Sequence, residues 1–163
     1  MDTQKGADRK AYIILHNIRS VYNVGSTFRT ADALGIKKIF LTGYTPTPLD
    51  RFGHPRKDLA KVALGAEKSV PWEQYKNPAT LIDHLKGEGV ECIAIEQSKK
   101  SVDYTKVRVR YPVAFLFGNE VRGVSSTLLS KMDIVAEIPM RGKKESLNVS
   151  VSLGVALFRM LQG

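Results

Sequence analysis

The stretch Val113-Ala114-Phe115-Leu116-Phe117-Gly118 indicates the fold class of this 163-residue chain. Five apolar residues follow one another without a polar interruption, and a glycine ends the run. A strand with one face in water alternates apolar and polar residues, whereas an uninterrupted apolar run is typical of a strand buried on both faces. Such strands lie inside parallel sheets that carry helices on both sides. The run therefore predicts the interior of an α/β sheet.

Strand and helix patterns alternate along the rest of the chain. The predicted strands cover residues 12–15, 38–41, 69–75, 91–95 and 134–138. The predicted helices cover residues 23–34, 58–64, 78–86 and 125–131, with Asn23 and Ser125 as caps of the first and last and Gly35 ending the first. This alternation predicts an α/β fold, a single mainly parallel sheet flanked by helices.

Residues 146–161 fit two patterns. Apolar and polar or small residues alternate over 147–157, as in a strand. The length of the segment and the small residues Ser146, Ser150 and Gly154, spaced four apart, favour a helix with one close-packing face. We predict a helix with Ser146 as its cap.

The composition narrows the class of protein. The net charge of +9 and the isoelectric point of about 9.7 favour an anionic partner such as nucleic acid. The single cysteine, Cys92, excludes an internal disulfide and a thiolate zinc cluster, and its apolar surroundings predict a buried structural thiol. No apolar run approaches a membrane span, and residues 1–10 lack the apolar core of a signal peptide. We expect a protein of the reducing cytoplasm.

Three polar loops follow predicted strands, at the sheet edge where α/β proteins bind ligands. They are Asn17–Ser26 with the following Arg29-Thr30-Ala31, Gly118–Gly123, and Ile138–Ser150. Alone, each also fits an ordinary interpretation: a capped helix with a solvated arginine, a glycine-rich turn, and a basic surface loop. The second loop lacks the GxGxxG spacing of a dinucleotide site, which argues against an NAD-binding enzyme.

In this order the three loops resemble the three signature motifs of the SpoU/TrmH RNA 2′-O-ribose methyltransferases of the SPOUT superfamily. The matching residues are Asn23-Val24-Gly25-Ser26 with Arg29-Thr30-Ala31, Gly118-Asn119-Glu120 with Gly123, and Ile138-Pro139-Met140 with Ser146-Leu147-Asn148-Val149-Ser150. The resemblance covers nearly the whole chain. It implies a C-terminal trefoil knot, a homodimer, and S-adenosyl-L-methionine as the cofactor for methyl transfer to a ribose 2′-hydroxyl of tRNA or rRNA.

The resemblance also implies the site residues. Cofactor contacts are expected from Ile95, Glu96, Gly118, Asn119, Ile138, Met140 and Leu147. Catalytic roles are expected from Arg29, Asn23, Glu120, Ser146 and Asn148. Because arginine keeps its proton in proteins, we interpret Arg29 as binding a phosphate or stabilising a developing alkoxide, less than two turns into its helix, rather than as a base. No metal site is expected.

RNA contacts are expected from the cations on or beside the three loops. They are Arg19, His54, Arg56, Lys57, Arg122, Arg141, Lys143 and Lys144. We expect residues 1–163 to form one catalytic domain without the N-terminal RNA-binding domain of many relatives, so that which RNA is bound stays open. Two alternatives share the fold: a methyltransferase acting on an RNA base, and a non-catalytic RNA-binding protein.

Overall fold

A computed structural model of the chain describes residues 9–162. The strands are β1 Ala11–His16, β2 Lys38–Thr42, β3 Trp72–Tyr75, β4 Glu91–Ile95, β5 Val102–Asp103, β6 Val113–Phe117 and β7 Ile134–Glu137. The helices are α1 Val21–Leu34, α2 Lys57–Ala63, α3 Ala66–Ser69, α4 Pro78–Gly87, α5 Ser126–Leu129 and α6 Val149–Met160, with a 3₁₀ helix at Tyr104–Lys106. The strands form one sheet in the order β3-β2-β1-β6-β4-β7-β5, and all neighbours are parallel. The predicted sheet and its flanking helices are confirmed.

The apolar run that predicts the sheet interior becomes β6, between β1 and β4. All five of its residues are buried. Phe115 and Phe117 face the core that includes α1 and α6, whereas Ala114 and Leu116 face the core that includes α4. Both faces are therefore covered, as the uninterrupted pattern predicts.

The parallel arrangement brings the carboxyl ends of four central strands to one edge. Leu15 pairs with Phe117, Ala94 pairs with Leu116, and Ile95 pairs with Ala136. The loops that follow β1, β4, β6 and β7 therefore leave the sheet side by side, although they are far apart in sequence. This edge is where a ligand site is expected in such a fold.

The chain crosses the middle of the sheet more than once. After β4 it passes to β5 at the outer edge, returns to β6 on the other side of β4, and crosses β4 again to reach β7. Helix α6 then packs against α1 and β4 and contacts the 3₁₀ helix. The C-terminal trefoil knot stays a prediction.

The structure corrects two predicted helix caps. Helix α1 is capped by Ser20, whose Oγ accepts a hydrogen bond from the Asn23 backbone N–H at 3.2 Å, so Asn23 lies buried in the first turn. Helix α6 is capped by Asn148, whose Oδ1 accepts from the Ser150 N–H at 2.9 Å, so Ser146 precedes the helix. The predicted cap Ser125 is confirmed by its acceptance of the Leu128 N–H at 3.3 Å.

The predicted close packing of small residues on the last helix is wrong within this chain. A Cβ added to Gly154 would meet no atom within 4 Å. Helix α6 instead buries Leu153, Ala156 and Leu157, at the spacing of one helical face. The predicted strand 69–75 begins only at Trp72, because Ala66–Ser69 form a helical turn.

The prediction of a buried structural thiol is confirmed at Cys92. Its side chain lies on β4 beneath α4, and burial raises the pKa of the thiol to about 12, so it stays protonated and unreactive at neutral pH. Within residues 9–162, no helix combines the length and the apolar character needed to cross a membrane.

Candidate active site

A cavity opens at the carboxyl edge of the sheet, where β4, β6 and β7 end beside the start of α6. It encloses about 750 Å³ of empty space when its open mouth is included. Its lining residues are Ile95, Glu96, Gln97, Phe117, Gly118, Asn119, Glu120, Val121, Gly123, Ile138, Met140, Ser146, Leu147, Val149 and Ser152. The second and third polar loops of the sequence therefore share one opening.

Asn119 folds the second loop and ties it to the first. Its Oδ1 accepts from the backbone N–H groups of Val121 at 2.9 Å and Arg122 at 2.8 Å. Its Nδ2 donates to the Asn17 carbonyl and to the Tyr44 hydroxyl, both at 2.9 Å. All side-chain atoms that can hydrogen-bond are thus engaged by the protein, and the loop is held before any ligand arrives.

Glu120 joins the second loop to the start of α1. Its Oε1 accepts from the Arg19 and Ser20 backbone N–H groups at 3.1 Å and from Asn23 Nδ2 at 3.2 Å. Partial burial alone would raise the pKa of Glu120, but these hydrogen bonds outweigh it and hold the pKa below the ordinary value. A carboxylate at the amino end of a helix is also favoured by the helix dipole. Glu120 is therefore ionised at neutral pH and bound by the protein itself.

Asn23 keeps one polar atom without a partner. Its side chain is 4% exposed and donates through Nδ2 to Glu120. Within residues 9–162, its Oδ1 is buried and accepts no hydrogen bond. A buried acceptor without a donor costs about 1–3 kcal/mol.

Glu96 closes the second loop from the β4 side. Its carboxylate accepts from the Val124 N–H at 2.9 Å and from the Gln97 N–H at 3.0 Å. Gly123 has φ of +65°, and a side chain there would collide with the Glu96 carboxylate. A Cβ on Gly118 would lie 2.6 Å from the Gly123 carbonyl oxygen. The loop therefore needs glycine at both positions to fold this tightly.

The third loop forms the other wall of the cavity. Ile138, Met140 and Leu147 supply apolar surface, and Gln97 Nε2 donates to the Glu145 carbonyl at 2.8 Å. This bond ties the third loop to the end of β4. The lining as a whole contains two carboxylates, many apolar groups and no lysine or arginine. Such a lining suits a cationic ligand with apolar parts.

The structure brings most, but not all, of the predicted site residues to the cavity. All seven residues predicted to contact a cofactor line the cavity. Of the predicted catalytic residues, Glu120 and Ser146 line it and Asn23 contacts Glu120, whereas Arg29 and Asn148 lie outside the lining. Arg29 is exposed in the third turn of α1, further from the amino end than predicted because the helix begins at Val21. These roles stay predictions.

The predicted RNA contacts fall into two groups, and none lines the cavity. Arg19, Arg122, Arg141, Lys143 and Lys144 are exposed on the three loops. His54 and Arg56 lie on the connection from β2 to α2 and Lys57 begins α2; Arg56 and Lys57 line a separate, more open groove.

Sequence reasoning missed six residues of the cavity lining. They are Gln97, Phe117, Val121, Gly123, Val149 and Ser152. All except Ser152, which lies in the first turn of α6, directly precede or follow predicted site residues or lie within the same loops, so position after a strand was the available signal. Among residues 9–162, no cluster of His, Cys, Asp and Glu could hold a metal ion.

A model of the SpoU rRNA Methylase family matches residues 10–158, which include all three loops and the cavity lining. The chain belongs to the SpoU rRNA methylase family. In this SpoU methylase chain, the second and third family motifs line one cavity and the first is joined to it through Glu120 and Asn119.

The solved structures that resemble this SpoU methylase chain include two informative ones. The chain is 30% identical to an AdoMet-bound rRNA methyltransferase from Sinorhizobium meliloti, with a TM-score of 0.83 over 94% of this chain and 56% of that one. It is 25% identical, with a TM-score of 0.79, to a protein whose structure concerns "the 2-OH methylation of C/U34 on tRNA", over 96% of this chain and 99% of that one.

The curated relatives include enzymes named for rRNA and enzymes named for tRNA. The chain is 33% identical to the 23S rRNA (guanosine-2′-O-)-methyltransferase RlmB of Neisseria meningitidis over 89% of this chain and 55% of that protein. It is 30% identical to the tRNA (guanosine(18)-2′-O)-methyltransferase of Escherichia coli over 90% of this chain and 60% of that protein. The SpoU methylase chain spans 55–66% of the length of the curated relatives compared.

The substitution Glu120→Gln tests the contact between the first two loops. It places an NH₂ donor against the N–H donors of Arg19 and Ser20, and we expect a loss of about 1–3 kcal/mol in the free energy of unfolding at neutral pH. Urea denaturation measures this loss. The exposed control Glu145→Gln should change the free energy by less than about 0.5 kcal/mol.

The loss of stability in Glu120→Gln also depends on pH. Because the folded pKa of Glu120 is lowered, its stabilisation is fully present above the ordinary pKa of 4.5 and is lost as the pH falls through the folded pKa. The stability difference between wild type and Glu120→Gln should therefore shrink on acidification. A difference that stays constant into strong acid would show that the carboxylate charge does not hold the loops.

Proposed function

We propose that this chain transfers a methyl group from S-adenosyl-L-methionine to a ribose 2′-hydroxyl of RNA, and that residues 10–158 are its catalytic domain. The observation that carries the proposal is the cavity at the sheet edge. The second and third family motifs form its lining, and the loop of the first motif is hydrogen-bonded to that lining. The family match and the named activities of the relatives support the same reaction.

The lining of the cavity fits this cofactor. S-adenosyl-L-methionine is cationic, and the lining presents the carboxylates of Glu96 and Glu120 without any basic side chain. The apolar surface of Ile138, Met140 and Leu147 suits the purine and the methylene groups of the methionine chain, and the glycine-rich turn exposes backbone groups. When bound, the cofactor supplies an electrophilic methyl group. No metal enters the proposed reaction.

The residues near the first motif suit the ribose and its phosphate. Ser146 offers a hydroxyl at the cavity wall, and Asn23 is proposed to orient the ribose through Glu120, to which its Nδ2 donates. Arg29 keeps its proton, so we assign it to an adjacent phosphate or to the negative charge that develops on the 2′-oxygen. Asn148, at the cap of α6, is proposed to orient the sugar. Fixing the reacting atoms in line contributes roughly 7–11 kcal/mol in well-oriented reactions.

A homodimer is part of the proposal. Helix α6 presents an apolar stripe of Val151, Val155 and Phe158, which are 49%, 40% and 40% exposed and spaced as one helical face. A stripe of this kind on a helix is suited to pairing with a second copy. Because Arg29 lies outside the cavity lining of its own chain, while α1 packs against α6, we propose that the dimer completes the site.

The proposed substrate is RNA, and the proposed compartment is the cytoplasm. Relatives act on tRNA and on rRNA, so both remain candidates. We propose tRNA as the first RNA to test, because one solved structure, of which this chain covers 99%, concerns the methylation of tRNA.

The reaction is tested with methyl-labelled S-adenosyl-L-methionine and, in separate reactions, bulk tRNA and bulk rRNA. We expect 2′-O-methyl nucleosides after nuclease digestion and mass spectrometry. Arg29→Ala should lower kcat/KM by about two to three orders of magnitude, as for loss of a charge-stabilising donor, and Arg29→Lys should not restore it because lysine lacks the planar fork. Methyl groups on bases, or cofactor binding without transfer to either RNA, would contradict the proposal. Lys61→Ala, an exposed change on α2, is the control.

The dimer is tested by sedimentation equilibrium of Val155→Asp. A carboxylate in the middle of the apolar stripe should shift the protein from dimer to monomer, because a buried unpaired charge is costly. Leu64→Asp, at a side chain that is 65% exposed beyond α2, should leave the mass unchanged. A wild-type monomer, or a dimer that survives Val155→Asp, would contradict the proposed interface.

A further inference from the structure

The segment 106–111 displays alternate basic and apolar residues. Lys106, Arg108 and Arg110 are exposed, and we call these three residues the basic track. Val107 and Val109 between them are partly buried against the core. Alternation with a period of two is the pattern of an extended chain with one face on the protein and one in water. Arg108 and Arg110 therefore project from one face of an extended segment, and Lys106 lies at the end of the 3₁₀ helix that precedes it.

The apolar residues and two hydrogen bonds hold this segment against the protein. Tyr111 packs on the core that includes α1 and α6, and its hydroxyl donates to the Leu161 carbonyl at 3.4 Å. The Arg110 backbone N–H donates to the Glu91 carboxylate at 2.8 Å. Because the backbone after the 3₁₀ helix is extended and fixed, the side chains of Arg108 and Arg110 leave it roughly 6–7 Å apart. This interval is comparable to the spacing of successive phosphates along an extended nucleic-acid strand.

The basic track begins at the edge of the sheet that holds the cavity. Lys106 ends the 3₁₀ helix that directly follows β5, and β5 runs parallel to β7 with Asp103 opposite Glu137. The segment then leads to Val113, at the amino end of β6 on the opposite edge. The track therefore extends from the cavity edge along the side of the molecule.

A cation of the third loop continues the basic track at the cavity edge. The pKa of Asp103 is lowered first by hydrogen bonds from Thr105 and further by the positive charges of Lys106 and Arg141. Both cations therefore act electrostatically on the same carboxylate, although neither forms a salt bridge with it. Since Arg141 belongs to the loop that lines the cavity, the track begins beside that loop.

The charges of the basic track are not neutralised by salt bridges. Among residues 9–162, no side-chain nitrogen of the track residues lies within 4.0 Å of a carboxylate, and the Glu91 carboxylate contacts only the backbone N–H of Arg110. By contrast, on the connection from β2 to α2, Arg56 lies 3.1 Å from Asp58 and His54 lies 3.8 Å from Asp50. The track side chains therefore lack the direct ion pairs that His54 and Arg56 form on that connection.

We propose that the basic track binds the sugar–phosphate backbone of the RNA strand that leads away from the methylated nucleotide. The inference rests on the proposed function and adds a binding surface that none of the three motif loops contains. Contacts of this kind position a strand without reading its sequence. The track therefore sets affinity for RNA and not the choice of base.

The test is the salt dependence of RNA binding by the full chain. The probe is a fluorescein-labelled single-stranded oligoribonucleotide of mixed sequence, and the readout is anisotropy at several salt concentrations. The triple variant Lys106→Gln, Arg108→Gln, Arg110→Gln should reduce the slope of log K against log salt by about 2, since each phosphate contact on a single strand contributes roughly 0.7.

Two further variants make the result specific. The triple variant Lys37→Gln, Lys61→Gln, Lys68→Gln removes the same formal charge from exposed positions elsewhere and should keep the wild-type slope. The double variant Arg108→Lys, Arg110→Lys keeps the charge and should also keep the slope. Thermal melting and sedimentation confirm that all variants share the fold and the mass of the wild type.

The outcomes separate this inference from the proposed function. A wild-type slope in the track variant, or an equal loss in the control triple variant, overturns the basic track even if the enzyme methylates RNA. Failure of the wild type to methylate any ribose overturns the proposed function, whereas the loss of slope confined to the track variant would still support RNA binding there.

Discussion

The carboxylate of Glu120 is the contact on which the geometry of the site depends. It follows β6 and binds the backbone that leads into α1, which lies about a hundred residues earlier in the chain. The parallel pairing of β1 with β6 brings the two loops to the same edge, but pairing alone does not fix their polar ends. An ionised group that accepts several N–H donors at a helix terminus does fix them. Asn119 adds a second link, so that the second loop is formed before a ligand binds.

The charge distribution separates two tasks. Inside the cavity, carboxylates and apolar groups predominate, which suits a cation with a purine. Outside it, lysine and arginine are displayed on exposed loops and along the segment 106–110, which suits a polyanion. The net charge of +9 therefore describes the exterior of the protein and not the interior of its site. A methyl transfer between a cationic cofactor and an RNA strand requires both surfaces to meet at one edge.

Much of the fold follows from local patterns, because long apolar runs and strong turn residues specify it. The burial of β6 on both faces and the αL end of α1 at Gly35 were predictable in this way. The caps were harder, since Ser20 and Asn23 are both good capping residues three positions apart and only the backbone decides between them. The turn at Ala66–Ser69 and the two-residue strand β5 are too short to show periodicity.

The site was predictable to the extent that it lies in contiguous loops. The residues lining the cavity follow strand ends, and family resemblance identified most of them. The hydrogen bond between Asn23 and Glu120 joins positions 97 residues apart, and no spacing in the sequence predicts it. The exposure of Arg29 likewise depends on where α1 begins and on which face it buries.

The measurement that tests this account most directly is a titration of the ¹⁵N-labelled protein with S-adenosyl-L-methionine, followed by amide chemical shifts. The account predicts saturable shifts concentrated in residues 118–123 and 138–147, the two walls of the cavity. Shifts centred on the connection 44–58, or no saturable shifts at all, would contradict the assignment of the cavity to the cofactor.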